Sequence, residues 1–261
     1  MKENKGHGLI IDEITPDNYI FGGLTKIEEK KIQWDGQWDR FLPEAELQKR
    51  NGLETSNCAV YGTLNAIEIL TNRLFGKMEN YSERHVGILA GTTERGNSPH
   101  KVAETIRYIS GLIPDEDLPF DDSIKTREQY FGPNPLPRAL VEKGRKWIDG
   151  FDFKHEYVFN QGEKYKAEIM MQALPYSPLG VSVYAWEKNE ETGLYEKVGQ
   201  DNHWLVCYGF EAGLFWKVFD HYDNFHKRLK WDTDFQVVKK YNLSKKQPKR
   251  SFWSLFQICQ R

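Results

Sequence analysis

The sequence predicts an α+β protein, with helices in the first half of the chain and an antiparallel sheet in the second. Two patterns carry this expectation. Apolar residues recur at three- and four-residue intervals before about residue 150, whereas β-formers alternate with polar residues beyond Phe151. With 261 residues, 39% of them hydrophobic and 14% aromatic, the chain can bury a large core and should be ordered over most of its length.

From Met1 to about Pro43 short strand-like pieces (GLII, YIFGG, KIQW) are divided by turn signals at Pro16-Asp17, Gly22-Gly23 and Asp35-Gly36, which predicts an extended arm lying along a body. A helix is expected from Cys58, because Val60, Leu64, Ile67, Leu70 and Leu74 share one face. Thr55, Ser56 and Asn57 are suitable caps, and Gly76 is a stop. A second helix is expected over Ser98 to Ser110, with Pro99 early, Val102, Ile106 and Ile109 on one face, and Gly111 at its end. A third is expected over Pro137 to Asp149. Strands follow at Val181–Trp186, Trp204–Tyr208, Leu214–Phe219 and His226–Trp231. The implied organisation is one domain: an arm (1–44), a helical lobe (45–125) and a mainly β lobe (126–261).

A net charge of −2 gives no global field toward nucleic acid or an anionic membrane, so neither is an expected partner. The basic KKQPKR stretch from Lys245 to Arg250 is expected to be a solvated tail. No apolar run has the length of a secretory signal or a membrane span. Three scattered cysteines (Cys58, Cys207, Cys259) do not form a disulfide framework, and a reducing, cytoplasmic setting in which a thiol stays free is expected. No metal or cofactor motif is present.

Cys58 would sit at the positive end of a helix, which favours thiolate over thiol, although a cysteine there also serves as a small apolar core residue. It needs an imidazole. His203 opens the apolar run HWLVCYGF after Asp201-Asn202, which suggests a strand start near a cleft rim. The other histidines lie in polar text and are expected to be solvated. Asp220 closes the next strand, and a hairpin through Glu211-Ala-Gly213 would return its carboxylate to His203 and fix the ring.

Four stretches, in order, resemble the papain family of cysteine peptidases: ELQKRNGLETSNCAVYGTLNAIE, YSERHVGILAG, RGNSPHKVAETIRYISGLIPDEDLPF and NHWLVCYGFEAGLFWKVFDHYD. Cys58 and His203 are 145 positions apart, within the roughly 130–150 of such enzymes. The resemblance implies a two-lobed papain-like fold with the active-site cleft between the lobes. Cys58, His203 and Asp220 would form the triad, hydrolysing peptide bonds through a thioester, without a cofactor or metal. It also implies a polypeptide substrate paired along Gly96, Asn97 and Ser98.

Three departures bear on activity. Asp220 stands where the family has Asn, and His221-Tyr222-Asp223 where it has Ser-Trp-Gly. Gly52 occupies the place of the oxyanion-hole glutamine, so Gln48 is the expected donor across a longer loop, with Asn51 or Asn57 as alternatives. The compact form and the Trp38-to-Gln48 signature resemble papain-like proteins of bacteriophages, which implies a possible virion or phage protein partner. Two other readings stay open: a catalytically weak or inactive structural, virion-associated protein, and a thiol hydrolase of isopeptide or cell-wall amide bonds.

Overall fold

The computed structural model of the chain describes residues 8–22, 30–222 and 224–247. A tight hairpin of β1 (Lys49–Arg50) and β2 (Leu53–Glu54) leads into the helices. Its turn, Asn51-Gly52, has φ of 53° and 79°, the left-handed pair that a two-residue hairpin requires. Helix α1 (Cys58–Phe75) is buried continuously from Cys58 to Thr71, and Gly76 ends it at φ 64°. Helix α2 (Glu83–Ala90) starts on a Ser82 cap that accepts from the His85 N–H, and Gly91 terminates it. Helix α3 (Pro99–Thr105) passes into a π-turn at Ile106–Ser110. The single expected helix over 98–110 is therefore an α-helix continued by a π-helical turn. Two further helices follow, the single turn α4 (Arg127–Tyr130) and the longer α5 (Arg138–Gly150).

The remaining strands form one eight-stranded sheet. They are β3 (Phe151–Tyr157), β4 (Leu179–Val183), β5 (Glu187–Lys188), β6 (Tyr195–Glu196), β7 (His203–Glu211), β8 (Phe215–Phe219), β9 (His226–Lys230) and β10 (Val238–Lys245). Helix α6 (Lys166–Ala173) lies between β3 and β4 in sequence. The sheet order is β3-β10-β4-β7-β8-β9-β6-β5, antiparallel except where β6 meets β9. Among the described residues, no helix is long and apolar enough to cross a membrane.

Helix α1 packs on β7 at a distance that only glycine allows. A Cβ on Gly62 would lie 2.8 Å from Trp204 Cδ1 and 2.9 Å from the Leu205 Cα. This contact sets the helix bearing Cys58 against the strand that opens with His203.

Several expectations need correction. Helix α5 falls where the third helix was expected, whereas α6, β3, β5, β6 and β10 were not foreseen. Lys245 ends β10 opposite Phe151 rather than starting a solvated tail, while residues 248–250 lie outside the described residues. His85, His155 and His221 are buried, not solvated, because His85 bonds the Ser110 carbonyl from α2, His155 faces inward on β3, and His221 lies between aromatic rings. Cys58 and Cys207 are free thiols, and Cys259 is outside the described residues.

Candidate active site

The β7–β8 hairpin turns at Glu211–Leu214 and runs in register with Val206 opposite Phe219, except for a bulge at Cys207 to Gly209. This register returns Asp220 to the first residue of β7. His203 Nε2 lies 2.8 Å from Asp220 Oδ1, and both side chains are 0% exposed. Burial alone would raise the Asp220 pKa, but His203, His221 and Lys227 override it and hold the carboxyl well below the usual range.

Lys227 was not anticipated. It is an inward-facing residue of β9, and its ammonium donates to Asp220 Oδ2 at 2.7 Å and to the Asn224 carbonyl at 2.7 Å. Both carboxylate oxygens of Asp220 are therefore engaged, Oδ1 also accepting the His221 N–H at 2.8 Å. The ligand atoms of His203, Asp220 and His221 lie within 4.8 Å of one another, a spacing that a metal could use. Lys227 already supplies the cation on that carboxylate, so we assign the cluster to an ion pair.

His203 Nδ1 has no hydrogen-bond partner among the described residues. The ring packs edge-on to Trp186 and His221, with centroids 5.8 and 4.6 Å away. Cys58 begins α1 as expected, but its thiol does not hydrogen-bond this imidazole. It is 0% exposed, and burial pushes its pKa up to about 12; the backbone N–H groups of Trp204 and Ala59 oppose the rise, and the nearby Glu54 and Asp220 charges add to it. The expected stabilisation of thiolate at a helix start is thus outweighed by desolvation.

Gln48 also differs from expectation. It is fully buried, and its amide is spent on Glu54 Oε1 at 2.6 Å and Tyr222 Oη at 2.9 Å, so it does not face an open cleft. Tyr222 donates in turn to Glu54 Oε2 at 2.8 Å. The alternative donors are committed as well. Asn57 bonds the Glu83 carbonyl, Tyr130 and Thr92, and Asn51 bonds Asp122. Glu54 gave no sequence signal, since it reads as one more polar residue before a helix.

The edge expected to bind substrate is in use. The Asn97 N–H donates to the Gly8 carbonyl at 2.9 Å, and the Ile10 N–H donates to the Asn97 carbonyl at 3.0 Å. Leu9, Ile11 and Ile14 pack on a cluster of Cys58, Tyr157, Trp204 and Val237. Farther along, the Tyr157 N–H donates to the Tyr19 carbonyl and the Phe21 N–H to the Tyr157 carbonyl. The arm therefore bonds to the helical lobe at Asn97 and to the sheet at Tyr157, passing over the cysteine.

A helix beginning on cysteine, facing a histidine–aspartate pair on adjacent strands, is an arrangement found in thiol hydrolases. Comparison with solved structures agrees at the level of fold: the chain has an α+β papain-like fold. It is similar to the proform of the Amb a 11 cysteine protease from ragweed pollen, with TM-score 0.57 and 13% identity over 85% of this chain and 69% of that one. Bromelain protease from Ananas comosus, in complex with the E64 inhibitor, superposes with TM-score 0.53 and 16% identity over 81% of this chain and 98% of that one. Digestive procathepsin L 3 of Tenebrio molitor gives 0.56 and 12% over 91% and 76%. No protein-family model matches the sequence, and no curated protein matches it either.

Proposed function

We propose that the protein is a cysteine peptidase in which Cys58 attacks the substrate carbonyl, His203 carries the proton to the leaving amine, and Asp220 orients His203. The observation that carries this reading is the His203–Asp220 bond, which uses Nε2 and leaves Nδ1 without a partner beside the start of α1. Once the arm moves, Nδ1 is the atom that can take the thiol proton, and the Cys58 N–H can face the oxyanion. Gln48 can join it only if it releases Glu54. Gly96, Asn97 and Ser98 would then pair an extended polypeptide, as Asn97 now pairs the arm. We place the protein in a reducing cytoplasm, of a host cell if the likeness to bacteriophage-encoded forms holds, with a virion protein as a further candidate partner.

A second reading, that the fold serves as a catalytically weak structural protein, is favoured by one feature: the Glu54 carboxylate holds the Gln48 amide and raises the Cys58 pKa. Labelling with an epoxide thiol inhibitor, followed by peptide mapping, separates the two. A peptidase is labelled at Cys58 and loses cleavage of a casein substrate in Cys58→Ala. Absence of both label and cleavage, with the arm displaced, supports the structural reading.

A further inference from the structure

A polar pocket of about 270 Å³ lies beside the groove, lined by Tyr19, His100, Arg107, His155, Tyr157 and Lys239 among others. The proposed reaction uses none of these side chains. Lys239 faces the pocket from β10, directly opposite Tyr157 of β3, and is 0% exposed. Its ammonium lies 3.6 Å above the Tyr157 ring centroid and has no hydrogen-bond partner among the described residues. A buried ammonium without an anion is costly. Burial lowers the Lys239 pKa to about 7, and the carboxylates of Asp12, Glu104 and Glu156 oppose that fall.

Two of those three acids have cations of their own. Glu104 bonds His155 Nε2 at 2.7 Å and lies 3.8 Å from Arg107, and Glu156 pairs with Lys240 at 3.0 Å. Asp12 differs because it belongs to the arm. Its Oδ1 accepts from the Ser98 hydroxyl and its Oδ2 from the His100 N–H at 3.0 Å, both next to the Asn97 edge that pairs Gly8 and Ile10. The arm thus lies extended in the groove, and of the three carboxylates whose charge acts on Lys239, that of Asp12 is the one without an ion-pair partner among the described residues. His100 also lies within the field of Asp12, its ring 9° from parallel to that of Tyr157.

We infer that the edge of the groove beside this pocket recognises an acidic side chain of an extended peptide, that Ser98, the His100 N–H and Lys239 form the recognition set, and that Asp12 of the arm now engages that set. The inference rests on reading the groove as a peptide site, and it narrows the substrate class to peptides with Asp or Glu at the position aligned with Asp12. Glu104 and Glu156 do not defeat it, since their charges are matched within the fold.

The test uses the full chain carrying Cys58→Ala and Gly8→Val. A Cβ at Gly8 would meet the Ser56 carbonyl oxygen at 2.4 Å, and φ there is 135°, so valine displaces the arm. The probe is a fluorescent peptide of sequence GLIIDEITP, with Asp, Asn or Lys at its fifth position. Charge-assisted hydrogen bonds lead us to expect binding about tenfold weaker for Asn than for Asp, and weaker still for Lys. Lys239→Met should erase the difference between the Asp and Asn peptides. Equal binding of those two to the Lys239 protein, or a preference that survives Lys239→Met, overturns the inference.

If no peptide binds in trans, hydrogen exchange in the chain with its arm intact decides. Asp12→Asn and Lys239→Met should each speed exchange of the Ile10 amide about tenfold, and the double variant should go no further than either. Unchanged exchange in either single variant overturns the inference. Neither readout needs turnover, so a chain that cleaves nothing can still pass, and an active peptidase can still fail.

Discussion

Lys227 donates its ammonium to Asp220 Oδ2 at 2.7 Å while His203 holds Oδ1 at 2.8 Å, so one buried carboxylate is shared by a lysine and a histidine. The lysine cancels much of the charge that distinguishes Asp220 from an asparagine. Lys227→Met should leave a buried carboxylate undercompensated and cost about 3–5 kcal/mol of unfolding free energy in urea. Asp220→Asn combined with Lys227→Met should recover more than half of that loss. If the double variant is as unstable as the single one, the two side chains are not coupled.

Cys58 should be slow to alkylate in the intact chain. With its pKa pushed up to about 12, the thiolate fraction at pH 8 falls roughly 1000-fold below that of an ordinary exposed cysteine, before occlusion is counted. Iodoacetamide labelling at pH 8 in a Cys207→Ser, Cys259→Ser background measures this. Gly8→Val should raise the rate at least tenfold by displacing the arm. Fast labelling of Cys58 in the chain with its arm unaltered would mean that the thiol is not covered in solution.

Gly62→Ala tests the approach of α1 to β7. Its methyl group would press on Trp204 and the Leu205 backbone, so the helix must move or the strand must shift. A cost of about 1–3 kcal/mol is expected in thermal or urea unfolding. Because Trp204 adjoins His203, inhibitor labelling at Cys58 should fall as well. An alanine chain as stable as the original would indicate a looser contact between the lobes.

Glu68 lies inside α1 with Oε1 accepting the Tyr81 N–H at 2.9 Å and Oε2 accepting from Asn65. Burial raises its pKa from 4.5 to about 8, against those two hydrogen bonds and with help from Glu46 and Asp115. The folded state therefore binds the proton more tightly than the unfolded state. The associated stability is fully present below about pH 4.5 and is lost as pH rises toward 8, at up to about 1.4 kcal/mol per pH unit. Glu68→Gln keeps an uncharged group there, so its stability should fall less steeply across that window. Parallel urea-midpoint profiles for the two proteins from pH 5 to 8 would exclude this role.

Much of this site was legible in the sequence because local patterns carry it. Cys58 opens a helix whose apolar spacing is visible, and Asp220 returns to His203 through a hairpin whose turn is visible at Glu211-Ala-Gly213. The misses have a common cause: they depend on which surface covers a residue. β10 reads as polar, VKKYNLSK, yet Lys239 and Lys240 are buried and matched by aromatic rings or by Glu156. Lys227 looks like one of several cations in HKRLK until the β8–β9 register turns it toward Asp220. Gln48 was placed by the need for a donor, whereas its partner Glu54 becomes apparent only when the β1–β2 hairpin brings the two together.

On the proposed reading of the groove as a peptide site, the arm that bonds Asn97 in one lobe and Tyr157 in the other is a ligand attached to its own receptor. A ligand joined covalently to its receptor acts at an effective concentration on the order of millimolar, and a free peptide would compete against that value. A peptide that would saturate the vacant groove at micromolar levels would leave most molecules with the arm still in place. A groove that binds peptides as proposed would therefore respond to how abundant and how tightly matched its ligands are. Weak, sparse peptides would then be excluded by mass action alone, without any barrier having to be built against them.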